Sequence, residues 1–278
     1  MTKIILRQRV ADSDPAKICD ALSAWSGLSK IRVKTAMRCG AVWRQQPRGG
    51  TVRVRRATAT ARTGDLICLY YDEAIQGRTP PKARCQHDTG HYSIWFKPAG
   101  LMTQGSKFGD HCSLVRQVEQ HYAPKRKVLL VHRLDREAQG LVLFAHDKKT
   151  AANFALMFRN RTIEKNYQIL VSGNLEAYHS QNRIDFPLDG RPAATEFTPL
   201  RYDKHHDQTV VRVRLLSGRF HQIRRHFNQL GHPVMGDPRY GTKNKNHSGL
   251  RLVAYRLAFT CPISGRFTEV AVDPDGVF

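Results

Sequence analysis

The sequence predicts an α+β protein. A large domain with a mixed, largely antiparallel sheet flanked by helices follows a small basic α+β domain. Three observations carry this reading. Strand-like and helix-like stretches alternate without a regular strand–helix–strand rhythm, which argues against a parallel sheet. Hydrophobic residues make up 41% of the 278 positions, enough to bury a core. Charge divides the chain: the first 84 residues carry 17 Lys+Arg against 6 Asp+Glu, and the other 194 carry 28 against 17. The expected domains are residues 1–75 and 93–278, joined by a linker over 76–92, where Gly, Pro and polar residues dominate.

From the front, "DPAKICDALSAWSG" reads as a short helix with Asp14 as N-cap and Pro15 at the first helical position. "LSKIRVKTAMRCG" reads as a second helix, capped by Ser29, with Val33, Ala36 and Met37 on one face and Gly40 as its stop. Short strands are expected in "AVWRQ", "TVRVRR" and "DLICLYYD". Beyond the linker come a strand "YSIWFKPAG", a helix "HCSLVRQVEQHY" and a strand–loop–strand around Asp135. A helix "KKTAANFALMFRN" follows, with Ala151, Phe154 and Phe158 on one face. Next are the strands "YQILVSG" and "QTVVRVRLL". A last helix, "HQIRRHFNQLG", has Ile223, Phe227 and Leu230 in register and Gly231 as its stop.

The net charge of +22 favours a polyanionic partner, most commonly nucleic acid. Ten basic residues and no acidic one lie between Lys30 and Arg62, and Lys30, Arg32, Lys34 and Arg38 of the second helix are candidate RNA contacts. No apolar run is long enough to span a membrane, and "MTKIILRQRV" lacks the pattern of a signal peptide. The six scattered cysteines form no C-x-x-C pair and read as reduced thiols, so the expected location is cytoplasmic. Cys85, His87 and His91 are the nearest approach to a metal cluster, but they lack a second ligand pair at zinc spacing. No metal and no cofactor are expected.

"HRLDREAQG" places Asp135 on a connection between two apolar runs, with Arg133 and Arg136 beside it. Cations favour the charged carboxylate, which suits a nucleophile better than a general acid. No second carboxylate with useful spacing, H-E-x-x-H, G-x-S-x-G or phosphate-binding glycine loop is present. Glu137 follows too closely to share a strand face with Asp135. What remains is metal-free chemistry by one nucleophilic carboxylate.

"HRLDREAQGLVLFA" resembles the H-R-L-D-x-x-x-x-G segment of RluA-type pseudouridine synthases. Four further segments match in family order: "WFKPAGL", "IEKNYQILVSG", "PAATEFTPL" and "LLSGRFHQIRRHFNQLGHPVMGDPRYG". Together they span residues ~94–278. Residues ~10–73 resemble the RNA-binding module named after the fourth small-subunit ribosomal protein. Ala138-Gln139 stands where members of the synthase family usually have Thr-Ser, which bears on hydrogen bonding within that loop.

The resemblance implies isomerisation of a uridine in RNA to pseudouridine. It makes Asp135 the nucleophile, Tyr167 the residue that stacks on the target base and takes its C5 proton, and Arg224 the partner of the aspartate. Ile223 would pack beneath the base, and Arg133 would lie near the flipped nucleotide, with His132 and Arg219 as further substrate contacts. Arg219, Arg225, His226 and His232 would track phosphates. The expected partner is RNA, ribosomal in the first place and transfer RNA in the second, for a monomer that does not bind membranes. An RNA-cleaving or base-excising hydrolase and an inactive RNA-binding relative stand as alternatives.

Overall fold

The computed structural model describes residues 2–175, 182–242 and 244–277. The chain divides into two compact units, and the division is not a single cut. The chain up to Pro80 joins Gln104–Gln120 in one unit, while Pro81–Thr103 joins His121 onward in the other.

The first unit contains β1 (Lys3–Arg9), α1 (Ile18–Ser26), α2 (Lys30–Arg38), β2 (Val42–Gln45), β3 (Thr51–Arg53), β4 (Leu66–Asp72) and α3 (Glu73–Gln76). Its sheet runs β1-β4-β2-β3, entirely antiparallel. The two helices cover the sheet with Ile18, Leu22, Val33, Ala36 and Met37, which meet Ile67 and Leu69 of β4 in one core. Ser29 caps α2 as expected, accepting from the Arg32 N–H, and Gly40 turns the chain away with φ 77°.

One expectation needs correction here, and one strand was not foreseen. Helix α1 begins at Ile18, not Pro15, because residues 16–18 are held extended against 59–61: Ile18 N–H donates to Ala59 O, and Ala61 N–H to Ala16 O. Asp14 instead closes a turn, accepting from Ala11 N–H and from the Trp25 indole. Strand β1 was not anticipated. Its outward residues are Lys3, Ile5, Arg7 and Arg9, so an edge strand with a wet face reads as a charged stretch.

The returning segment begins the helix α4 (Leu114–Tyr122) and is tied to β2 and β3. Arg55 and Arg53 both grip Asp110, the latter at 3.3 Å, and Arg53 also stacks on the Trp43 ring at 4.0 Å. The Trp43 indole donates to Lys107 O.

The second unit is a ten-stranded sheet. Its strands are β5 (Arg84–Asp88), β6 (Tyr92–Lys97), β7 (Leu129–Leu130), β8 (Gln139–Ala145), β9 (Glu164–Ser172), β10 (Asn182–Ile184), β11 (Thr195–Asp203), β12 (Gln208–Leu215), β13 (Leu252–Thr260) and β14 (Phe267–Ala271). The order is β10-β11-β12-β9-β13-β8-β6-β5, with β14 on β13 and β7 on β8. Every pairing is antiparallel except β13 with β8. Helices α5 (Lys148–Asn160) and α6 (Gln222–Gln229) pack on it, α5 through Phe154, whose ring meets Tyr92 and Phe259 edge-on at 5.2 and 5.3 Å.

The linker expected over 76–92 contains β5, so it is not simply a tether. An exposed edge strand tolerates the polar residues that mimic linker composition. Its Cys85 lies 3.9 Å from the Tyr122 hydroxyl, and His87 is hydrogen-bonded to Tyr92. Among the described residues no helix is long and apolar enough to cross a membrane.

Candidate active site

A cavity of about 660 Å³ opens on the second unit, within the range of small-ligand sites. All seven residues expected there line it: His132, Arg133, Asp135, Tyr167, Arg219, Ile223 and Arg224. The sheet order explains how they meet. Asp135 lies on the loop entering β8, Tyr167 on β9 one strand beyond β13, and Arg224 on α6.

The Asp135 loop is pinned from below by the "KPAGLMT" stretch. Thr103 Oγ1 accepts from Leu134 N–H at 3.1 Å and donates to Leu134 O at 2.6 Å. Lys97 is wholly buried, and its Nζ donates to Arg136 O and Ala138 O at 3.2 and 2.6 Å, and to Pro98 O and Leu101 O. Burial pulls the Lys97 ammonium down to about 7, against the attraction of Asp135 and Glu137. Gly100 N–H also donates to Arg136 O. The loop is therefore fixed through its own backbone at Leu134, Arg136 and Ala138. Gly140 follows with φ 124°, and a Cβ there would lie 2.3 Å from Ala254 O, across the one parallel pairing of the sheet. That contact is why the segment ends in glycine.

Arg224, 1% exposed, faces three carboxylates. Its Nε and Nη2 donate to Asp237 at 2.7 and 2.8 Å, a two-bond fork, and its Nη1 donates to Asp135 Oδ2 at 3.2 Å. Glu137 Oε2 lies 3.6 Å from the same Nη1. Burial works against the guanidinium's charge, but Asp237 and Asp135 outweigh it and raise its pKa. Asp237 is itself fully buried and accepts from Arg239 N–H and Tyr240 N–H. The bonds from Arg224 and these amides overcome burial and hold its carboxyl below the usual range.

At the first position of α6, Gln222 staples the preceding loop. Its Oε1 accepts from Ser217 Oγ and Arg219 N–H, and its Nε2 donates to Ala194 O and Thr195 Oγ1. Next to the staple, His221 adopts a left-handed conformation, φ 52°, with Nε2 3.6 Å from Asp135 Oδ2 and Nδ1 bonded to the Tyr240 hydroxyl at 3.2 Å. Burial keeps the imidazole's pKa below its ordinary value despite Asp135. Phe220, 54% exposed, stacks on His221 at 3.7 Å on the cavity wall.

Tyr167 is buried, and that burial, with the charge of Asp135, raises its phenol, which stays protonated. His132 is not free to bind substrate through Nε2, because that nitrogen accepts the Leu143 N–H at 2.9 Å. Burial, with Lys165 nearby, lowers its pKa to about 3, so the ring is neutral. Its face lies on Phe158.

The RNA pseudouridylate synthase family model matches residues 91–229, half of the chain and most of this site. The chain belongs to that family. It is 33% identical over 218 residues to a transfer RNA pseudouridine synthase C of Pasteurella multocida, covering 64% of this chain and 86% of the relative. It is 30% identical over 222 residues to a ribosomal large subunit pseudouridine synthase D of Nitrosomonas europaea, covering 70% and 62%. In fold it matches the human RNA pseudouridylate synthase domain containing 1, with a TM-score of 0.59 at 21% identity, over 69% of this chain and 83% of that one. The reaction is isomerisation of uridine to pseudouridine in RNA.

Within this synthase, three expectations about individual residues give way. The side chains that reach Asp135 are the Arg224 guanidinium and the His221 imidazole, both distant in sequence, not its neighbours Arg133 and Arg136. Glu137 does approach Arg224, because the segment is a loop and strand alternation does not apply. His226 cannot track phosphates: it is fully buried, bonded to Thr195 Oγ1 and Phe186 O, while Arg225 is paired with Asp189. Lys97, Thr103, His221, Asp237 and Tyr240 went unread, though each lies in or beside a quoted segment. In the first unit, Lys30 is paired with Asp20 and Arg32 with Glu73, and Arg38 donates to Thr35 Oγ1.

Proposed function

We propose that this synthase modifies a uridine in ribosomal RNA, with Asp135 as nucleophile and Tyr167 and Arg224 as its working partners. The supporting observation is the single cavity that Asp135, Tyr167 and Arg224 line together, with Arg224 bonded to the carboxylate. A stacked base cannot be detached and turned, so the nucleotide is first extruded, at a cost of a few kcal/mol. The C1′–N1 bond then breaks, the base turns, a C1′–C5 bond forms, and the C5 proton is lost while N1 gains one. The Asp135 carboxylate enters by addition either to C1′ or to the base. Arg224 holds the carboxylate through Oδ2. Tyr167 offers a flat face for the base, and Ile223 an apolar floor. Burial keeps the phenol protonated, so Tyr167 takes the C5 proton only if its own passes on, to N1 of the base or to water.

The basic front unit supports the ribosomal reading, since it supplies a second contact to a large folded RNA, with Lys34 and Arg38 as the α2 candidates that form no ion pair among the described residues. Transfer RNA is the second reading, favoured by the likeness to the Pasteurella multocida enzyme.

The test is mapping of pseudouridine in RNA from cells with and without the protein, and with Asp135→Asn. The variant is expected to bind RNA and form no pseudouridine. Release of free uracil or of RNA fragments by the wild type would point to a hydrolase, and wild-type inactivity on every cellular RNA to a binding protein.

A further inference from the structure

The cavity has an uncompensated wall. Arg133, Arg159, Arg161 and Lys165 all line it, and none of the four forms an ion pair among the described residues. Arg159 and Arg161 sit at the C-terminus of α5, where a cation complements the helix dipole and needs no other reason. Lys165 has no such reason. It stands on β9 two residues before Tyr167, and strand alternation turns both side chains to the same face, toward the cavity. It is half-buried, and its Nζ lies 5.9 Å from the Phe158 ring, at the outer limit of a cation–π contact. The neighbouring His132 is neutral. Burial and the like charge of Arg161 both pull the Lys165 pKa down. A partly desolvated ammonium without a counter-charge is unfavourable, and an anion entering the cavity relieves it.

We propose that Lys165 binds a backbone phosphate of the flipped uridine nucleotide, with Arg161 and Arg133 at the rim. This rests on the reading that the Asp135 cavity receives that nucleotide. Two strand residues span about 6–7 Å, so the phenol of Tyr167 meets the base while the ammonium meets a phosphate of the same nucleotide. Lysine suits the task as a compact point charge. Lys165 is then a substrate-binding residue that sets how far the sugar enters.

The test uses the full-length protein and a short RNA cut from the uridine that mapping identifies. In one series each of the two phosphates flanking that uridine is replaced by an uncharged methylphosphonate. In the other, Lys165 is changed to Met or to Arg, with melting temperature recorded. One of the two replacements is expected to lower wild-type kcat/KM roughly tenfold to a hundredfold, the worth of a charge-assisted contact, and to cost Lys165→Met almost nothing further. Lys165→Met should raise KM more than it lowers kcat and flatten the dependence of log KM on log salt by roughly 0.7. Lys165→Arg should recover most of the loss. Equal sensitivity of wild type and Lys165→Met to both replacements, or an unchanged salt slope, overturns the assignment. If the wild type forms no pseudouridine in any RNA, the reading beneath it fails instead.

Discussion

Arg224 and Asp237 form a buried two-bond pair that leaves a single guanidinium nitrogen facing Asp135, 3.2 Å away. Asp237 thus aims the arginine without reaching the cavity itself. Asp237→Asn keeps the shape but removes the counter-charge. It is expected to lower kcat/KM roughly 10²-fold, as a small misplacement of a reacting group does. Stability should fall by about 3–5 kcal/mol, because a buried cation loses its partner. Steady-state kinetics and denaturant melts check both. Full activity with unchanged stability would mean that Asp135 holds Arg224 unaided.

Lys97 acts on the same carboxylate from the other side, through the backbone. Replacing it with Met leaves Ala138 O without its 2.6 Å donor and Arg136 O with Gly100 N–H alone. The expected loss is about 1–3 kcal/mol for each buried carbonyl left unpaired, with kcat reduced more than RNA affinity. Filter binding beside single-turnover kinetics separates the two effects; equal losses in both would argue against a clamp on the Asp135 loop.

Some of this could be read from residue order alone, and some could not. Asp135, Tyr167 and Arg224 each sit in a short local pattern, and helix α5 was legible to the residue because its apolar positions repeat. The ion pair between positions 135 and 224 spans 89 residues. No local pattern says which arginine will arrive, so the adjacent Arg133 and Arg136 drew the attention. His132, expected as a substrate contact, lines the cavity, but what its Nε2 does could not be read locally, because its bond to Leu143 N–H exists only once β8 has folded back. The polar edge strands β1 and β5 were missed because solvent, not the core, shapes their outer faces.

His132 also gives a pH signature. Its folded pKa, about 3, lies below the unfolded 6.5, so the unfolded chain binds more protons between those values. Its contribution to stability is therefore complete above about pH 6.5 and declines as pH falls toward 3, by an amount of the order of a few kcal/mol. His132→Gln, whose side-chain carbonyl accepts the Leu143 amide without titrating, should show a shallower loss over that window. His226, His146 and His221, also lowered by burial, account for slope that remains. Identical profiles for variant and wild type would remove His132 from the account.

Gly140→Ala tests the close approach of β8 to β13. The added methyl meets Ala254 backbone in a conformation that L side chains rarely adopt, and strain with overpacking is expected to cost at least about 2 kcal/mol. Thermal melts should show the loss, and pseudouridine formation should fall with it because the Asp135 loop enters the sheet at this residue.

Asp110 belongs to the stretch that returns to the front unit, and its two arginines come from residues 53 and 55. Trimming the chain at the end of the front unit would therefore not yield a clean shorter enzyme. It would strip the guanidinium partners from a carboxylate that stays behind, along with the indole that holds Lys107. The front unit is consequently stitched in twice, and its loss or exchange over evolution would require rewriting a stretch inside the catalytic segment at the same time.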